Sequence, residues 1–443
     1  MMYFFPRRTS WTYRSIRMKL QSLPQHFCKH CVRGYRVLLE NEWMRYCFLF
    51  VCLCSVCYLL FGWIISRDSC FEWEIRTSLC NDYQNGLVAG SLCYNLCIEK
   101  SVPLSSCINR DDQFSMFRWS NILFKALNPD KHKLLEVSNP VWDGMSKADF
   151  ISLLEKHFAQ LLGNKDHSYL ILRAFEFADF NRNNELTYAE ARSMWELLQI
   201  QEFQILFIFQ DNTVFPQLNS TCGSMFGYET AYQQILYNKN QSTYLESIFP
   251  NSYQWSLPDF PRRAHIALGL LEYIFATMET DNTKFYMCDF SPQNFGYNQY
   301  YEMKVTKFDG IVSETVLNKT MSTKTCEKDS DCVYGDICHS TCNLVTGKCN
   351  SIDEMYTPDF IKVCHVLQDY LLYDMPIKVK YLLSHLVADC IRMGNKMSTK
   401  TRETIAVDQN IIHDRLNEIL WNELKYADNK FLTRPTKKPP VLI

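Results

Sequence analysis

The sequence predicts an α+β protein built around one domain of two lobes. Its 443 residues, 47% of them hydrophobic, suffice for one large core or two ordinary ones. Hydrophobic periodicity predicts strands, then helices, then strands again, and finally mostly helices. That order fits a two-lobed α+β domain better than a doubly wound sheet, in which strands and helices alternate.

The predicted organisation has six consecutive segments. The last of them is rich in Lys and Pro, a composition that does not support a packed core. The segments are a basic cytosolic arm (1–45), a transmembrane anchor (46–65), a lumenal cysteine-rich segment (66–112), a small lobe (113–229), a large lobe (230–430) and a disordered tail (431–443).

The apolar run Tyr46–Ile65 predicts a single membrane span. It contains no charged residue, and as a helix it would extend about 30 Å, the hydrocarbon thickness of a bilayer. Residues 1–45 carry nine Lys or Arg against two Glu, and basic residues mark the cytosolic side of a span. We therefore predict a type II topology with residues from Arg67 onward in the lumen. A buried soluble helix is the alternative.

Charge and cysteine usage agree with this topology. The rest of the chain holds 37 basic and 46 acidic residues, which argues against nucleic acid as a partner. Fourteen of the 20 cysteines follow the span, and this even number predicts disulfides whose pairing the spacing does not define. Most of them lie within residues 70–107 and 326–349. Glycosylation sequons on the predicted lumenal side begin at Asn219, Asn240 and Asn318.

The small lobe begins with strand-like sequence from about residue 118 to 137. Helical spacing of apolar residues then predicts helices at 147–162, 168–178 and 188–200, and a short apolar run predicts a strand at 205–209. Residues 216–229 continue as strand-like sequence with a Cys-Gly turn. The large lobe is predicted to contain a long helix at 261–278 and closing helices at about 358–373, 377–393 and 406–425.

Residues 179–190 predict an EF-hand calcium loop inside the small lobe. Calcium prefers six to eight oxygen ligands, and Asn184 occupies the sixth position, where a positive φ normally favours Gly. Only two of the ligands are charged, so we expect modest calcium affinity; a loop that keeps its shape without metal is the alternative. The candidate ligands are Asp179, Asn181, Asn183, Glu185 through its main-chain carbonyl, Thr187 and Glu190.

Residues 288–294, with the sequence CDFSPQN, predict a phosphotransfer loop. They follow a long amphipathic helix and a short apolar strand, where protein kinases place a catalytic Asp and, five residues later, a metal-binding Asn. Asp289 would accept the proton of a substrate hydroxyl, and Asn294 would turn its side-chain oxygen toward magnesium. The usual His-Arg before the Asp is absent, so a chance match is the alternative.

Two charged residues of the small lobe are candidates for binding nucleotide phosphate. Lys125 lies in a predicted strand, and Glu155 on the following helix is its candidate ion-pair partner. A solvated surface role is the alternative for each. A Gly-rich phosphate loop is not recognisable in a chain with only 14 Gly.

These motifs together resemble the divergent protein kinase domain 1 family, also called family with sequence similarity 69. The resemblance covers nearly the whole chain, including the basic arm, the span and the calcium loop. It implies a protein-kinase fold, ATP with Mg²⁺ or Mn²⁺, and Ca²⁺ as cofactors, and residence in the endoplasmic reticulum membrane. Its most specific parts are the cysteine cluster 326–349 and the motifs at 269–272, 287–289 and 294–298.

The sequence differs from the family pattern at the position of the second metal ligand. The position before Phe308 that should carry a metal-binding Asp is Lys307, and the nearest carboxylate is Asp309. A shift of two residues along a strand keeps a side chain on the same face but moves it roughly 7 Å. We predict Asp309 as the metal ligand beside Asn294; impaired metal binding is the alternative.

Three functions are compatible with the sequence. The first is a lumenal kinase that phosphorylates a hydroxyl of a secretory protein or glycan. The second is a pseudokinase that acts as a calcium-responsive binding scaffold. Asp289 and Asn294 favour the first, whereas Lys307 and the lack of a Gly-rich loop favour the second. The third is a calcium-buffering or adhesive ectodomain, for which one loop of modest affinity is weak support.

Overall fold

The chain divides into two compact units, Met1–Ser69 and Cys70–Ile443. Most of the predicted arm and span lies outside the residues that the structure describes, although the described part of the span, within 50–58, is helical. Among the described helices, none is long and apolar enough to cross a bilayer. The structure, a computed structural model, describes residues 50–51, 53–58, 71–104, 107–110, 113–128, 146–230, 234–237, 249, 252–278, 283–308, 310–336, 338–352, 359–395 and 402–431.

A five-stranded antiparallel sheet forms the small lobe, with the strand order β1-β2-β3-β5-β4. The first strand lies inside the predicted cysteine-rich segment, which therefore contributes an edge strand to the lobe. Lys125 occupies the central strand, opposite Met116 on one side and Phe226 on the other. The strands are β1 (Cys107–Arg110), β2 (Phe114–Trp119), β3 (Ile122–Leu127), β4 (Leu218–Cys222) and β5 (Met225–Glu229).

The rest of the cysteine-rich segment covers one face of this sheet. Its helices α1 (Glu72–Gln84) and α2 (Cys93–Cys97) bury a core that includes Phe124 of β3. Because successive side chains of a strand point to opposite faces, Lys125 points to the other side. Two disulfides, Cys80–Cys97 and Cys93–Cys222, stabilise the segment and join it to β4.

Four helices connect β3 to β4 on the other side of the sheet. They are α3 (Lys147–Leu162), α4 (Ser168–Ala178), α5 (Tyr188–Leu198) and α6 (Gln201–Ile208). The first three confirm the helices predicted from periodicity, and the Ser146 side chain caps α3 by accepting a bond from Asp149 N. The strand predicted at 205–209 is wrong. Residues 205–208 belong to α6, which is buried around most of its circumference, so its apolar run resembles a buried strand.

The large lobe is built around α7 (Phe260–Met278). Short strands form two ladders, β6-β8-β9 and β7-β10. Of the three helices that follow the cysteine cluster, α9 (Asp359–Leu371) and α11 (Arg402–Phe431) pack against α7, and α10 (Ile377–Asn395) packs against both of them. Arg263 of α7 is buried and donates a hydrogen bond to the carbonyl oxygen of Tyr370 at 2.6 Å. The strands are β6 (Gln234–Ile235), β7 (Phe285–Met287), β8 (Phe295–Tyr297), β9 (Met303–Val305) and β10 (Ile311–Ser313).

The cysteine cluster follows α8 (Glu314–Thr323) and precedes α9. It contains the two-stranded ladders β11 (Val333–Tyr334) with β12 (Cys338–His339), and β13 (Cys342–Asn343) with β14 (Lys348–Cys349). The predicted disulfide framework is confirmed, and its described bridges within and around the large lobe are Cys288–Cys338, Cys326–Cys342, Cys332–Cys349 and Cys364–Cys390.

Candidate functional site

The loop that carries Asp289 and Asn294 follows β7 directly. A single turn of 3₁₀ helix, Pro292–Asn294, reverses the chain so that Asn294 returns to the start of the loop. Asn294 is buried, and its Nδ2 atom donates a hydrogen bond to the main-chain oxygen of Asp289. The loop therefore brings the two residues together, and their roles as base and metal ligand stay predictions. Because the amide nitrogen is engaged, the side-chain oxygen of Asn294 is the atom that would face a metal ion.

A residue far along the chain anchors the strand before this loop. Asp359, the first residue of α9, accepts a hydrogen bond from Met287 N at 3.0 Å and pairs with Lys362 at 3.4 Å. Burial lowers the pKa of the Lys362 ammonium group, and the negative charge of Asp359 acts in the opposite direction. Sequence reasoning missed Asp359, whose only local signal is a carboxylate at the start of a helix.

The carboxylate of Asp289 is exposed and contacts the cysteine cluster. Its Oδ1 atom accepts a hydrogen bond from the main-chain N–H of Asp336 at 2.8 Å. Nearby Tyr334 is half-buried, and burial, followed by the charge of Asp289, raises the pKa of its hydroxyl. This contact was not predicted, because cysteine spacing does not define which cysteines pair.

Lys125 forms its ion pair with Glu202 of α6, so the predicted pairing with Glu155 is wrong. Lys125 is buried and its Nζ contacts Oε2 of Glu202, whereas Glu155 is exposed on α3. Burial, with a smaller contribution from Glu202, also raises the pKa of Tyr228 well above its ordinary value. An ammonium group has three donors, so Lys125 can pair with Glu202 and still bind a phosphate oxygen.

The segment expected to supply the second metal ligand runs beside Asn294. Thr306 N donates to the carbonyl oxygen of Asn294 at 2.8 Å, and the next residue, Lys307, is exposed. Phe308 is buried, with its ring 5.7 Å from that of Tyr228 in the small lobe. Asp309 lies outside the described residues. The donors described for the predicted nucleotide and metal site are therefore the buried ammonium group of Lys125 and the side-chain oxygen of Asn294.

The predicted calcium loop connects α4 to α5. Asp179 is buried, and its two carboxylate oxygens accept hydrogen bonds from Asn183 N at 3.1 Å and Asn184 N at 2.8 Å. Asn184 has a φ of 60°, which confirms the left-handed conformation expected at the sixth position. The loop thus curls around the carboxylate of its first residue.

The end of this loop brings a second buried carboxylate to the same place. Glu190 accepts hydrogen bonds from Asn181 Nδ2 at 3.0 Å and from Thr187 N at 2.8 Å. The Thr187 hydroxyl in turn caps α5 by accepting a bond from Glu190 N. Asn183 and Glu185 are exposed, and Glu185 N donates to Asn183 Oδ1 at 2.8 Å. The donor set is oxygen-rich, which fits a hard cation such as Ca²⁺.

The sequons differ in accessibility. Asn219 is exposed on β4, an edge strand among the described strands. Asn318 is half-buried on α8, and its Oδ1 atom accepts a hydrogen bond from Ile352 N at 3.0 Å. Asn240 lies outside the described residues.

A small lobe with a buried Lys–Glu pair, joined to a large lobe whose loop holds an Asp and an Asn together, defines a protein-kinase-like domain. Two family models match the chain. One, described as the protein-kinase domain of FAM69, matches residues 194–393; the other, described as the N-terminal cysteine-rich ER region of FAM69, matches residues 41–165. The chain belongs to the FAM69 family, as its motifs indicated.

Proposed function

We propose that this protein is a lumenal phosphotransferase of the early secretory pathway that transfers phosphate from ATP to a hydroxyl of a secretory protein or glycan. The observation that carries the proposal is the hydrogen bond from the Asn294 amide to the main chain of Asp289. This bond keeps the candidate base and the candidate metal ligand in one fixed arrangement. Phosphoryl transfer depends mainly on such positioning and on charge stabilisation.

Each polar residue of the site has a role in this proposal. Asp289 accepts the proton of the attacking hydroxyl, and Lys125, held by Glu202, binds the phosphate groups. Asn294 and Asp309 would hold the metal ion. When bound, Mg²⁺ or Mn²⁺ neutralises negative charge on the phosphates.

The calcium loop would make the small lobe responsive to Ca²⁺. Glu190, the ligand proposed at the twelfth position, lies in the first turn of α5. Helix α6, which carries Glu202, begins after only two intervening residues. A movement of α5 on calcium binding would therefore reach the ion pair with Lys125.

The proposed topology is type II, with 46–65 as the anchor and the kinase-like domain in the lumen. The disulfides support it, because such bonds persist in oxidising compartments. Glycosylation tests it directly: Asn219→Gln should reduce the mobility shift removed by glycosidase, since Asn219 is exposed. Absence of any glycosidase-sensitive shift in the wild-type protein would argue against a lumenal domain.

A pseudokinase that binds calcium or partners without efficient phosphotransfer is the second candidate. The exposed Lys307 favours it, because an ammonium group can supply charge at the metal position but cannot bridge phosphates as a metal ion does.

The two candidates are separated by measuring binding and turnover on the same sample. Full-length protein in detergent is mixed with ATP and Mg²⁺ or Mn²⁺, and the melting temperature and transfer of the labelled γ-phosphate are both recorded. A kinase gives metal-dependent stabilisation and transfer. Stabilisation without transfer supports the pseudokinase. If neither response is seen, the kinase is contradicted.

A further inference from the structure

One turn of the cysteine cluster lies directly against the carboxylate of Asp289. The turn consists of Tyr334–Asp336. Its last residue, Asp336, follows Asp289 by 47 positions in the chain, and the Asp336 N–H donates a hydrogen bond to Oδ1 of Asp289 at 2.8 Å. The bond uses the main chain, so it does not depend on the side chain at position 336. The other carboxylate oxygen of Asp289, Oδ2, does not take part in this hydrogen bond.

Two glycines allow the main chain to come this close. A Cβ atom at Gly335 would lie 2.5 Å from Oδ1 of Asp289, and one at Gly310 would lie 3.0 Å from the Cβ atom of Asp289. Any side chain at Gly335 would therefore displace either the turn or the carboxylate. Gly335 also has a φ of 60°, a conformation that glycine adopts without strain. Asp289 is thus held between two main-chain segments.

A buried disulfide keeps the turn in place. Cys288, the residue before Asp289, is bonded to Cys338, two positions after Asp336, and both cysteines are fully buried. Cys288 N also donates to the carbonyl oxygen of Gly310 at 2.7 Å. The bonded cysteines restrict how far Asp289 and Asp336 can move apart.

We propose that the Tyr334–Asp336 turn is a positioning element for the catalytic carboxylate. The Asp336 N–H orients Oδ1 so that Oδ2 is presented to the substrate hydroxyl, and the Cys288–Cys338 bridge holds the turn in register. A general base must lie within hydrogen-bond reach of the proton that it accepts, so its orientation controls turnover. This inference rests on the proposed phosphotransfer function.

The first test substitutes the glycine of the turn. Gly335→Ala is compared with Gly347→Ala, because Gly347 lies in the same cluster with a φ of 64° but has no atom within 4 Å of a new Cβ. Both variants carry the same backbone strain, and only the first disturbs Asp289. We expect Gly335→Ala to lower kcat about tenfold with unchanged KM for ATP, and Gly347→Ala to match the wild type. An unchanged or raised kcat in Gly335→Ala would overturn the inference.

The second test does not need activity. Amide hydrogen exchange is measured in full-length protein for the peptide that contains Asp336, in the wild type, Asp289→Asn and Asp289→Ala. Removing the acceptor should speed exchange at Asp336 about tenfold in Asp289→Ala and less in Asp289→Asn, which keeps a side-chain oxygen. The peptide containing Gly347 serves as the internal control.

The two tests separate the inference from the proposed function. If the wild-type protein shows no phosphotransfer, the proposed function is contradicted. If the amide exchange rate at Asp336 is the same in the wild type and in Asp289→Ala, the positioning role is contradicted.

Discussion

The side-chain nitrogen of Gln201 donates a hydrogen bond to the carbonyl oxygen of Ile311 at 3.0 Å. Gln201 is followed by Glu202, which holds Lys125, and Ile311 is preceded by Gly310, which lies against Asp289. One hydrogen bond therefore connects the ion pair of the small lobe to the loop of the large lobe. We expect loss of this hydrogen bond to affect both halves of the site.

Loss of this hydrogen bond should affect phosphotransfer more than stability. Gln201→Ala should lower the free energy of unfolding by about 1 kcal/mol and reduce phosphotransfer several-fold. Gln204→Ala is the matched control, because the Gln204 side chain on the same helix donates its hydrogen bond to the carbonyl oxygen of Leu198. It should cost similar stability without reducing the rate. Equal rates in the two variants would argue against the connection.

Substitution of the Lys125 partner should destabilise the small lobe. In Glu202→Gln the buried Lys125 ammonium group loses its counter-charge, and we expect a loss of about 3 kcal/mol in the free energy of unfolding, measured with denaturant. ATP-dependent stabilisation should also weaken. Exposed Glu155 provides the control, since Glu155→Gln should change stability by less than about 0.5 kcal/mol. A larger loss of stability in Glu155→Gln than in Glu202→Gln would indicate that Glu155, and not Glu202, is the partner of Lys125.

Calcium binding should depend on Glu190 and not on the side chain of Glu185. Glu190→Gln retains the capping of α5, because Gln can replace Glu in a capping box, but it removes a charged ligand. We expect calcium affinity, measured by titration calorimetry, to fall at least about tenfold. Glu185 offers its main-chain carbonyl, so Glu185→Gln should change affinity little. Equal affinities for wild type and Glu190→Gln would exclude the loop as a calcium site.

Acidification should destabilise the fold through His157 of α3. The His157 ring lies 5.3 Å from that of Trp195, and burial lowers its pKa from 6.5 to about 4. Between these values the unfolded chain binds a proton that the folded chain does not, so stability falls as pH decreases from 6.5 to 4. At pH 4 this difference in proton binding lowers the free energy of unfolding by about 3 kcal/mol relative to its value at neutral pH.

The variant His157→Phe isolates this contribution from other titrating groups. Its free energy of unfolding should fall less steeply than that of the wild type between pH 6.5 and pH 4. Parallel curves for the two proteins would show that His157 is protonated equally in both states.

Local features of the sequence predicted much of the fold. The helices at 147–162 and 168–178 were predicted to the residue, because the amphipathic spacing of their apolar residues defines them. The pattern failed at α6, where a run of apolar residues is equally compatible with a buried strand. The contact between Asn294 and Asp289 is a local feature, because the two residues are five apart in one tight loop. Their roles stay predictions.

Residues that reach the site from distant positions were not predictable in this way. Glu202 was missed because the helix that carries it was interpreted as a strand, and exposed Glu155 was chosen instead. Asp359 bonds to Met287, which is 72 residues earlier in the chain, and Asp336 bonds to Asp289, which is 47 residues earlier. Packing and the Cys288–Cys338 disulfide bring them there, and the sequence does not define that pairing.

The most direct test of the account is transfer of the γ-phosphate of ATP by full-length wild type, Asp289→Asn and Asp414→Asn at equal concentration. Asp414 is a suitable control because its side chain is 81% exposed on α11. The account predicts that Asp289→Asn lowers transfer at least about 100-fold, the usual contribution of a general base, and that Asp414→Asn transfers like the wild type. Wild-type transfer by Asp289→Asn would contradict the assignment of Asp289 as the base.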